Sequence, residues 1–284
     1  MESISLSEES LELDEGEQVT LKVIIMPEDA TNKTVLWSSD NNDVASVSRG
    51  TVTAISEGIA VITATTKDGD YTSSCKVIVG QPYKGTLNGH EWVDLGLPSG
   101  LKWATCNVGA SSPEEYGGYF AWGEVSQSTY YYWTTYKFYT GGDSSDNVTL
   151  SKYNSFSGHG TIDNKTTLEI SDDVAQVLWD GTWRLPTESE WIELKDNCVW
   201  IWTKLSGKNG FKVTSNFTGN SIFLLAAGSW YGSTNDDVGS HGVYWSSSLH
   251  TKPGSAGVLL FSSEDYQSGG SPRFKGNSVR PVTE

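Results

Sequence analysis

Cysteine, histidine, basic charge and long apolar runs are all in short supply in this chain, and each shortage removes a class of function. Three cysteines in 284 residues do not make a disulfide framework. Cys75 shares strand parity with Val77 and Val79 and is expected to be a buried small hydrophobe. Cys106 and Cys198 are left as free thiols or as one pair in an oxidising compartment. The four histidines, His90, His159, His241 and His250, have no metal-ligand spacing. No stretch of about 18 apolar residues is present, so no helical span is expected. There is no signal peptide either. Met1 abuts an acidic strand, so the expectation is a surface or extracellular protein whose leader is absent from this sequence, tied to a membrane only through a removed N-terminal anchor of the lipoprotein kind. Residues 1–80 hold 14 acids and 5 bases, and residues 81–284 hold 21 acids and 14 bases. Both parts are acidic, which argues against nucleic-acid partners.

Aromatic residues are abundant. Twelve Trp and thirteen Tyr suit either large core anchors or a recognition surface, and both are expected here. The length allows about two domains.

Residues 1–80 read as all-β. Val19, Leu21, Val23 and Ile25 alternate with polar neighbours as one strand. Ile4/Leu6, Leu11/Leu13, Val35/Trp37, Ala60/Ile62/Ala64 and Cys75/Val77/Val79 repeat the pattern, with turn signals at Glu15-Gly16, Asn41-Asn42-Asp43, Arg49-Gly50, Glu57-Gly58 and Asp68-Gly69. Seven short strands at this spacing predict an immunoglobulin-like sandwich. The order Val35-Leu36-Trp37-Ser38-Ser39-Asp40, Val44-Ala45-Ser46-Val47, Gly50-Thr51-Val52-Thr53-Ala54 and Gly58 to Ala64 resembles the group 2 bacterial immunoglobulin-like domain. That resemblance implies a stalk in a surface protein or adhesin; Trp37 is read as core packing ahead of a ligand contact. Gly80-Gln81-Pro82-Tyr83-Lys84-Gly85 is read as a short linker, giving domains at 1–80 and 85–284.

The stretch Trp183-Arg184-Leu185-Pro186-Thr187-Glu188-Ser189-Glu190-Trp191 organises the second domain. Pro186 disfavours helix just before it. Thr187 and Glu190 form a capping box, so a helix is predicted from Thr187 with Trp191 and Leu194 on its apolar face. A second helix is predicted at Val174 to Leu178, capped by Ser171-Asp172-Asp173. Residues 125–170 are the least regular part. Tyr130-Tyr131-Tyr132-Trp133 and Tyr136-Lys137-Phe138-Tyr139 are read as rings that staple an insertion to the domain, ahead of a sugar-stacking platform. Asp143, Asp146 and Asn147 supply hard oxygens that suit a structural calcium, but not the 12-residue calcium-loop spacing; no other cofactor is expected.

The Trp183 string and Ser278-Val279-Arg280-Pro281-Val282 together resemble C-type-lectin-like domains related to formylglycine-generating enzymes and the major paralogous surface domains of Bacteroidetes and Fibrobacter. The fold class implied is an all-β immunoglobulin-like sandwich plus an α+β C-type-lectin-like domain. The enzymes of that family need paired thiolates late in the domain, and no cysteine follows Cys198. Their Arg-Gly-Gly-Ser-Trp-like segment stands here as Ala226-Ala227-Gly228-Ser229-Trp230, without the arginine. A thiol reaction needs its thiol, so the expectation is no enzyme. Nor is there a Glu-Pro-Asn, Gln-Pro-Asp or Trp-Asn-Asp triplet for calcium-dependent sugar binding.

Residues 229–275 interleave a framework with a mixed set. Leu259 and Phe261 share one strand face; Val258 and Leu260 are expected on the opposite, exposed face. The ligand-binding set is Trp230, Tyr231, Asn235, Asp236, His250, Lys252, Val258, Leu260, Tyr266 and Phe274, with Asp237, Ser255, Ser262 and Lys275 beside it. Its mixture of rings, small polar groups and stray apolar residues is that of a paratope. The frame from Trp245-Ser246-Ser247-Ser248 to Ser278-Val279-Arg280-Pro281-Val282 resembles the variable region of proteins diversified by retroelements. The expected partner is a protein or glycan on another cell surface. A structural surface or fimbrial subunit is the alternative.

Overall fold

The computed structural model describes residues 3–27, 29–80 and 83–284; Met1 and the linker positions 81 and 82 lie outside the described residues. The chain divides into two compact units, Met1–Gly85 and Thr86–Glu284.

The first unit is a run of short strands: β1 (Ser3–Leu6), β2 (Ser10–Leu13), β3 (Gln18–Thr20), β4 (Val23–Met26), β5 (Val35–Ser39), β6 (Ala45–Ser48), β7 (Thr51–Ala54), β8 (Gly58–Thr66) and β9 (Thr72–Val79). One sheet runs β2-β9-β8-β5 and a second runs β3-β7-β6, with β1 and β4 paired apart. Ala60 and Ile62 of β8, Cys75, Val77 and Val79 of β9, and Val52 and Ala54 of β7 share one core. Two sheets closing on one apolar layer make a sandwich. The single strand expected over 19–25 is two strands. The chain leaves β7 after Thr20 and joins β1 at Val23, while Leu21 N donates to Gly50 O at 2.9 Å. Alternation continues through this change of sheet, so parity does not reveal it. Trp37 is half-buried and packs against the core.

The second unit is also mainly strand. It holds β10 (Lys84–Leu87), which begins at the join, then β11 (His90–Asp94), β12 (Lys102–Ala104), β13 (Tyr139–Gly141), β14 (Thr149–Leu150), β15 (Cys198–Leu205), β16 (Lys208–Ser215), β17 (Ser221–Leu225), β18 (Ser229–Tyr231), β19 (Thr234–Asp236), β20 (His241–Leu249), β21 (Ser255–Ser262), β22 (Tyr266–Pro272) and β23 (Val282–Thr283). Among the described residues two α-helices interrupt them, α1 (Val174–Trp179) and α2 (Glu188–Asn197), besides two short 3-10 turns. The sheets are β10-β11-β12-β23, β15-β16-β17 and β20-β21-β22, with the pairs β13-β14 and β18-β19.

The helix starts are the predicted ones. Thr187 Oγ1 accepts from Glu190 N at 3.3 Å, and Glu190 Oε2 accepts from Thr187 N at 2.7 Å, closing the capping box. Asp173 caps α1 by accepting from Ala175 N and Gln176 N. The adjacent Asp172 turns away to bind Lys137, Lys152 and Tyr153. Trp183, Leu185 and Trp191 are buried. The two strings that organise the sequence also meet in space. Arg184 N donates to Val282 O at 3.0 Å, and Val282 N returns a bond to Arg184 O at 2.9 Å.

Sheet β20-β21-β22 is covered on both faces. Val243, Trp245 and Val258 join one apolar cluster, with Trp122, Trp133 and Trp183. Tyr244, Leu259 and Phe261 join another, with Trp103, Trp191 and Phe211. This corrects the expectation for Val258. It does face opposite to Leu259, but that face meets a second core and Val258 is 1% exposed. Gly242 lies beneath the Phe261 ring, which would stand 2.0 Å from any Cβ.

Two arginines are wholly buried. Arg280 Nε donates to Asn107 Oδ1, Nη1 to the Ala104 and Thr105 carbonyls, and Nη2 to the Phe223 carbonyl, at 2.9–3.1 Å. Carbonyl dipoles thus replace the water a buried cation has lost. Arg273 lies over the Trp122 ring at 5.2 Å and donates to Pro253 O. Tyr131, Trp133, Tyr136 and Phe138 are buried in the first cluster, so these rings of the irregular insertion are core. Cys75, Cys106 and Cys198 are free thiols.

Candidate functional site

The segment 229–275 leaves the core and returns to it. Ser229 Oγ donates to Asn277 Oδ1 at 2.7 Å, and Trp230 exchanges backbone bonds with Gly276. Gly228, at φ +72°, turns the chain into β18; a Cβ there would meet Asp236 O at 2.3 Å. The β18-β19 hairpin is therefore clamped at its base.

The structure separates the ten site residues expected from the sequence. Three belong to the scaffold. Val258 is core. Phe274 is buried between Trp133 and Tyr132, 4.8 and 5.6 Å between ring centres. Trp230 is half-buried and packs near Tyr119 and Tyr131. Placing these three on a binding surface is corrected on burial. Tyr266 is half-buried too, stacked on Trp200 at 4.6 Å and against the second cluster, away from Val258. Asn235 is half-buried and donates to Ala227 O at 3.3 Å, bracing the hairpin. His250 and Lys252 sit in the turn between β20 and β21, where His250 Nδ1 accepts from Lys252 N; the His250 ring lies over Gly270. Tyr231 and Asp236 remain exposed, whereas Leu260, expected on an open face, is half-buried against the same cluster as Val258.

Tyr231 is the centre of an aromatic group. Its ring lies 5.8 Å from Tyr132 and 5.8 Å from Phe274, and Lys275 Nζ stands 5.9 Å above it. Tyr130, also exposed, lies 6.3 Å from Tyr132. Loss of hydration, then the neighbouring Tyr132 phenol, push the Tyr231 pKa upward, so the group is a neutral phenol that both donates and accepts. Lys275 also lines a cleft of about 400 Å³ with Ser229, Asp237, His241, Leu260 and Gln267. Rings on one side and the cleft on the other thus share Lys275. Such a surface suits recognition of a ligand with both an apolar face and hydrogen-bonding groups.

His241 and Gln267 were not singled out from the sequence. His241 shares strand parity with Val243 and Trp245, and a polar residue ending a buried face is the signal that finds it. The link between Tyr130-Tyr132 and Tyr231 has no sequence signal. It comes from Tyr131 and Gly232, which exchange backbone bonds at 2.8 Å each way.

The calcium expectation fares differently. Asn147 Oδ1 accepts from Asp143 N and Ser144 N, and its amide donates to Asp143 Oδ1. Asn147 Oδ1 and Asp143 Oδ1 are thus both hydrogen-bonded within the loop. Among the described residues, no group of three or more His, Cys, Asp or Glu side chains could hold a metal ion. No described helix is long and apolar enough to cross a membrane.

Comparison with known proteins bears on the first unit. Residues 1–77 match the bacterial Ig-like domain (group 2). An uncharacterized protein of Bacillus cereus is 33% identical over 84 residues, 28% of this chain and 63% of that protein. A minor capsid protein of Enterobacteria phage T3 is 43% identical over 76 residues, 27% of this chain and 17% of that protein. The kappa-carrageenase of Pseudoalteromonas carrageenovora is 43% identical over 67 residues, 23% of this chain and 17% of the enzyme. This chain thus spans less than two thirds of each relative. Among solved structures, the S-layer protein rSbsC aligns with 94% of this chain and 25% of its own, at 12% identity and a TM-score of 0.25, too low to inform the fold.

Proposed function

We infer that this is a non-enzymatic binding protein of a bacterial cell surface, with the Ig-like domain as a stalk and a C-type-lectin-like second domain as the binding head. The observation that carries the reading is the division within residues 229–275. Buried Val258, Phe274 and Arg273 fix the backbone, His241 and Lys275 line one cleft, and exposed Tyr231 stands beside it with Lys275 over its ring. Fixed rings with adaptable polar neighbours are how binding loops gain area at low entropic cost. The ligand is a protein or glycan of another cell surface, and the segment's exposed members, such as Tyr231 and Asp236, are the positions open to diversification.

The alternative chemistry of the lectin-like relatives, thiol-dependent oxidation, is disfavoured by Cys198. Burial first, then Glu193, push its thiol up to about 12, so it stays protonated at neutral pH. A stalk role for the first unit draws support from the range of proteins with similar stretches, from a phage minor capsid protein to a kappa-carrageenase.

The test is an array of glycans and host-surface proteins probed with the whole chain and with Tyr231→Ala and Lys275→Ala variants. A hit that both variants abolish, with unfolding unchanged, supports the reading. A hit retained by a piece ending at residue 80 would refute it.

A further inference from the structure

The cleft beside Tyr231 has an acidic end. His241 and Ser262 are register partners across β20 and β21. The turn that leads into β20 carries Asp237, and the turn that joins β21 to β22 carries Asp265, so both acids lie at the same end of the sheet. Backbone bonds fix each turn. Asp237 O accepts from Ser240 N at 3.0 Å and from His241 N at 2.9 Å, and Asp265 O accepts from Ser262 N at 2.8 Å. Both side chains line the cleft and both residues are exposed. Among the described residues, neither carboxylate pairs with a lysine or an arginine. His241 Nδ1 stands 4.0 Å from Asp237. The neighbouring wall is apolar, with Val243 and Leu260 as register partners and Pro272 beside them. Lys275 lines the cleft from the Tyr231 side.

We propose that the acidic end of this cleft receives a lysine or arginine side chain of a protein partner. The inference rests on the binding-head reading above and narrows its ligand to a protein. A basic side chain has an aliphatic stem and a cationic head. A cleft of about 400 Å³ with an apolar wall and two carboxylates at one end matches both parts. A neutral sugar would leave both carboxylates without a counter-charge, and an anionic ligand would meet them as like charges. The wider field has the same sign, because residues 81–284 hold 21 acids and 14 bases, and such a field draws cationic partners. Lys275, on the other side, offers a donor to a carbonyl or carboxylate of the same partner. The cleft thus selects a direction as well as a charge.

The test is a nuclear magnetic resonance titration of the full chain with three small probes: arginine blocked as its N-acetyl amide, and norleucine and glutamate blocked in the same way. Blocked arginine is expected to shift the backbone amides of residues 237–243 and 262–267 saturably, and to bind more weakly as salt is raised. Norleucine has the stem without the head, and glutamate has the opposite charge, so each should bind at least about fivefold more weakly. Asp237→Asn and Asp265→Asn should each weaken blocked arginine about two- to fivefold, as for exposed ion pairs, and the double variant should be weaker still. Both exchanges suit the fold. Asparagine tolerates the φ of +63° at position 237, and at position 265 it keeps the Oδ1 that accepts from Tyr266 N. No saturable shift at those amides, equal binding of the glutamate probe, or arginine binding unchanged in the double variant would overturn the proposal. So would a surface ligand that needs Tyr231 yet binds the double variant as tightly as the parent, and that result would leave the binding-head reading standing.

Discussion

The two units bury their apolar side chains by different rules. In the first, small β-branched and alanine side chains alternate along paired strands, and one core layer results. One of the chain's twelve tryptophans, Trp37, belongs to it. In the second, irregular chain between short strands is anchored by large rings. Trp122 Nε1 bonds to Ser246 O, Trp191 Nε1 to Trp245 O, Trp183 Nε1 to Leu87 O and Trp245 Nε1 to Phe120 O. Each indole fills volume and also ties its N–H to a backbone carbonyl of a different element. A regular ladder needs only parity. A loop-rich core needs bulky residues that carry a donor.

The largest effect should show this difference directly. Trp245→Ala removes a fully buried ring and its indole hydrogen bond to the Phe120 carbonyl, at a cost of about 3–5 kcal/mol. Ile62→Val in the first unit removes one methyl group and should cost about 0.5–1.5 kcal/mol. Urea unfolding of residues 1–85 and 86–284 made separately measures both. Failure of either piece to unfold cooperatively would move the boundary.

A smaller effect is expected at the helix start. Thr187→Ala removes one half of the capping box and should cost about 0.5–2 kcal/mol, read by the same unfolding curve. An unchanged curve would mean that Arg184, 2.7 Å from Glu190, holds the turn alone.

Acid should act on this same corner. Burial works to raise the Glu190 pKa, but Arg184 and the Thr187 N–H outweigh it and the net shift is downward. Burial likewise opposes, and Lys137, Lys152 and Tyr153 overcome it, at Asp172. A depressed carboxylate contributes stability that is present above its unfolded pKa, about 4, and is lost as pH falls through the folded value. Asp173 shifts the other way, raised first by burial, so its protonation partly offsets the loss. The melting temperature of residues 86–284 should fall below about pH 4, and less steeply in Glu190→Gln with Asp172→Asn. An equal slope in the variant would assign acid sensitivity to other groups.

Where the sequence was readable, the cause was local. The capping box, the alternation of β8 and β9 and the Asp173 cap each fix a few neighbouring residues by one physical rule. Val258 was misplaced because parity states that two faces differ, not that one is wet. Phe274 was misplaced because its burial depends on Trp133, more than a hundred residues away. The break at Leu21 was hidden because the change of sheet preserves alternation. Those three outcomes rest on long-range contacts, to which a local pattern is blind.

The smallest effect on stability is the one that bears most on function. Tyr231→Ala deletes a ring that is 43% exposed, with neighbours Tyr132, Phe274 and Lys275 that keep their own packing. Its unfolding midpoint should match that of the parent. Phe274→Ala, one contact deeper, should lower the midpoint clearly, by about 3–5 kcal/mol in unfolding free energy. Both sit in the segment that the sequence marks as one mixed set, so the pair separates display from scaffold. Ligand affinity should drop at least tenfold in Tyr231→Ala, the loss of a hot-spot ring, with stability intact. If Tyr231→Ala instead unfolds as readily as Phe274→Ala, the ring is part of the core. The recognition surface would then have to be sought elsewhere in the second unit.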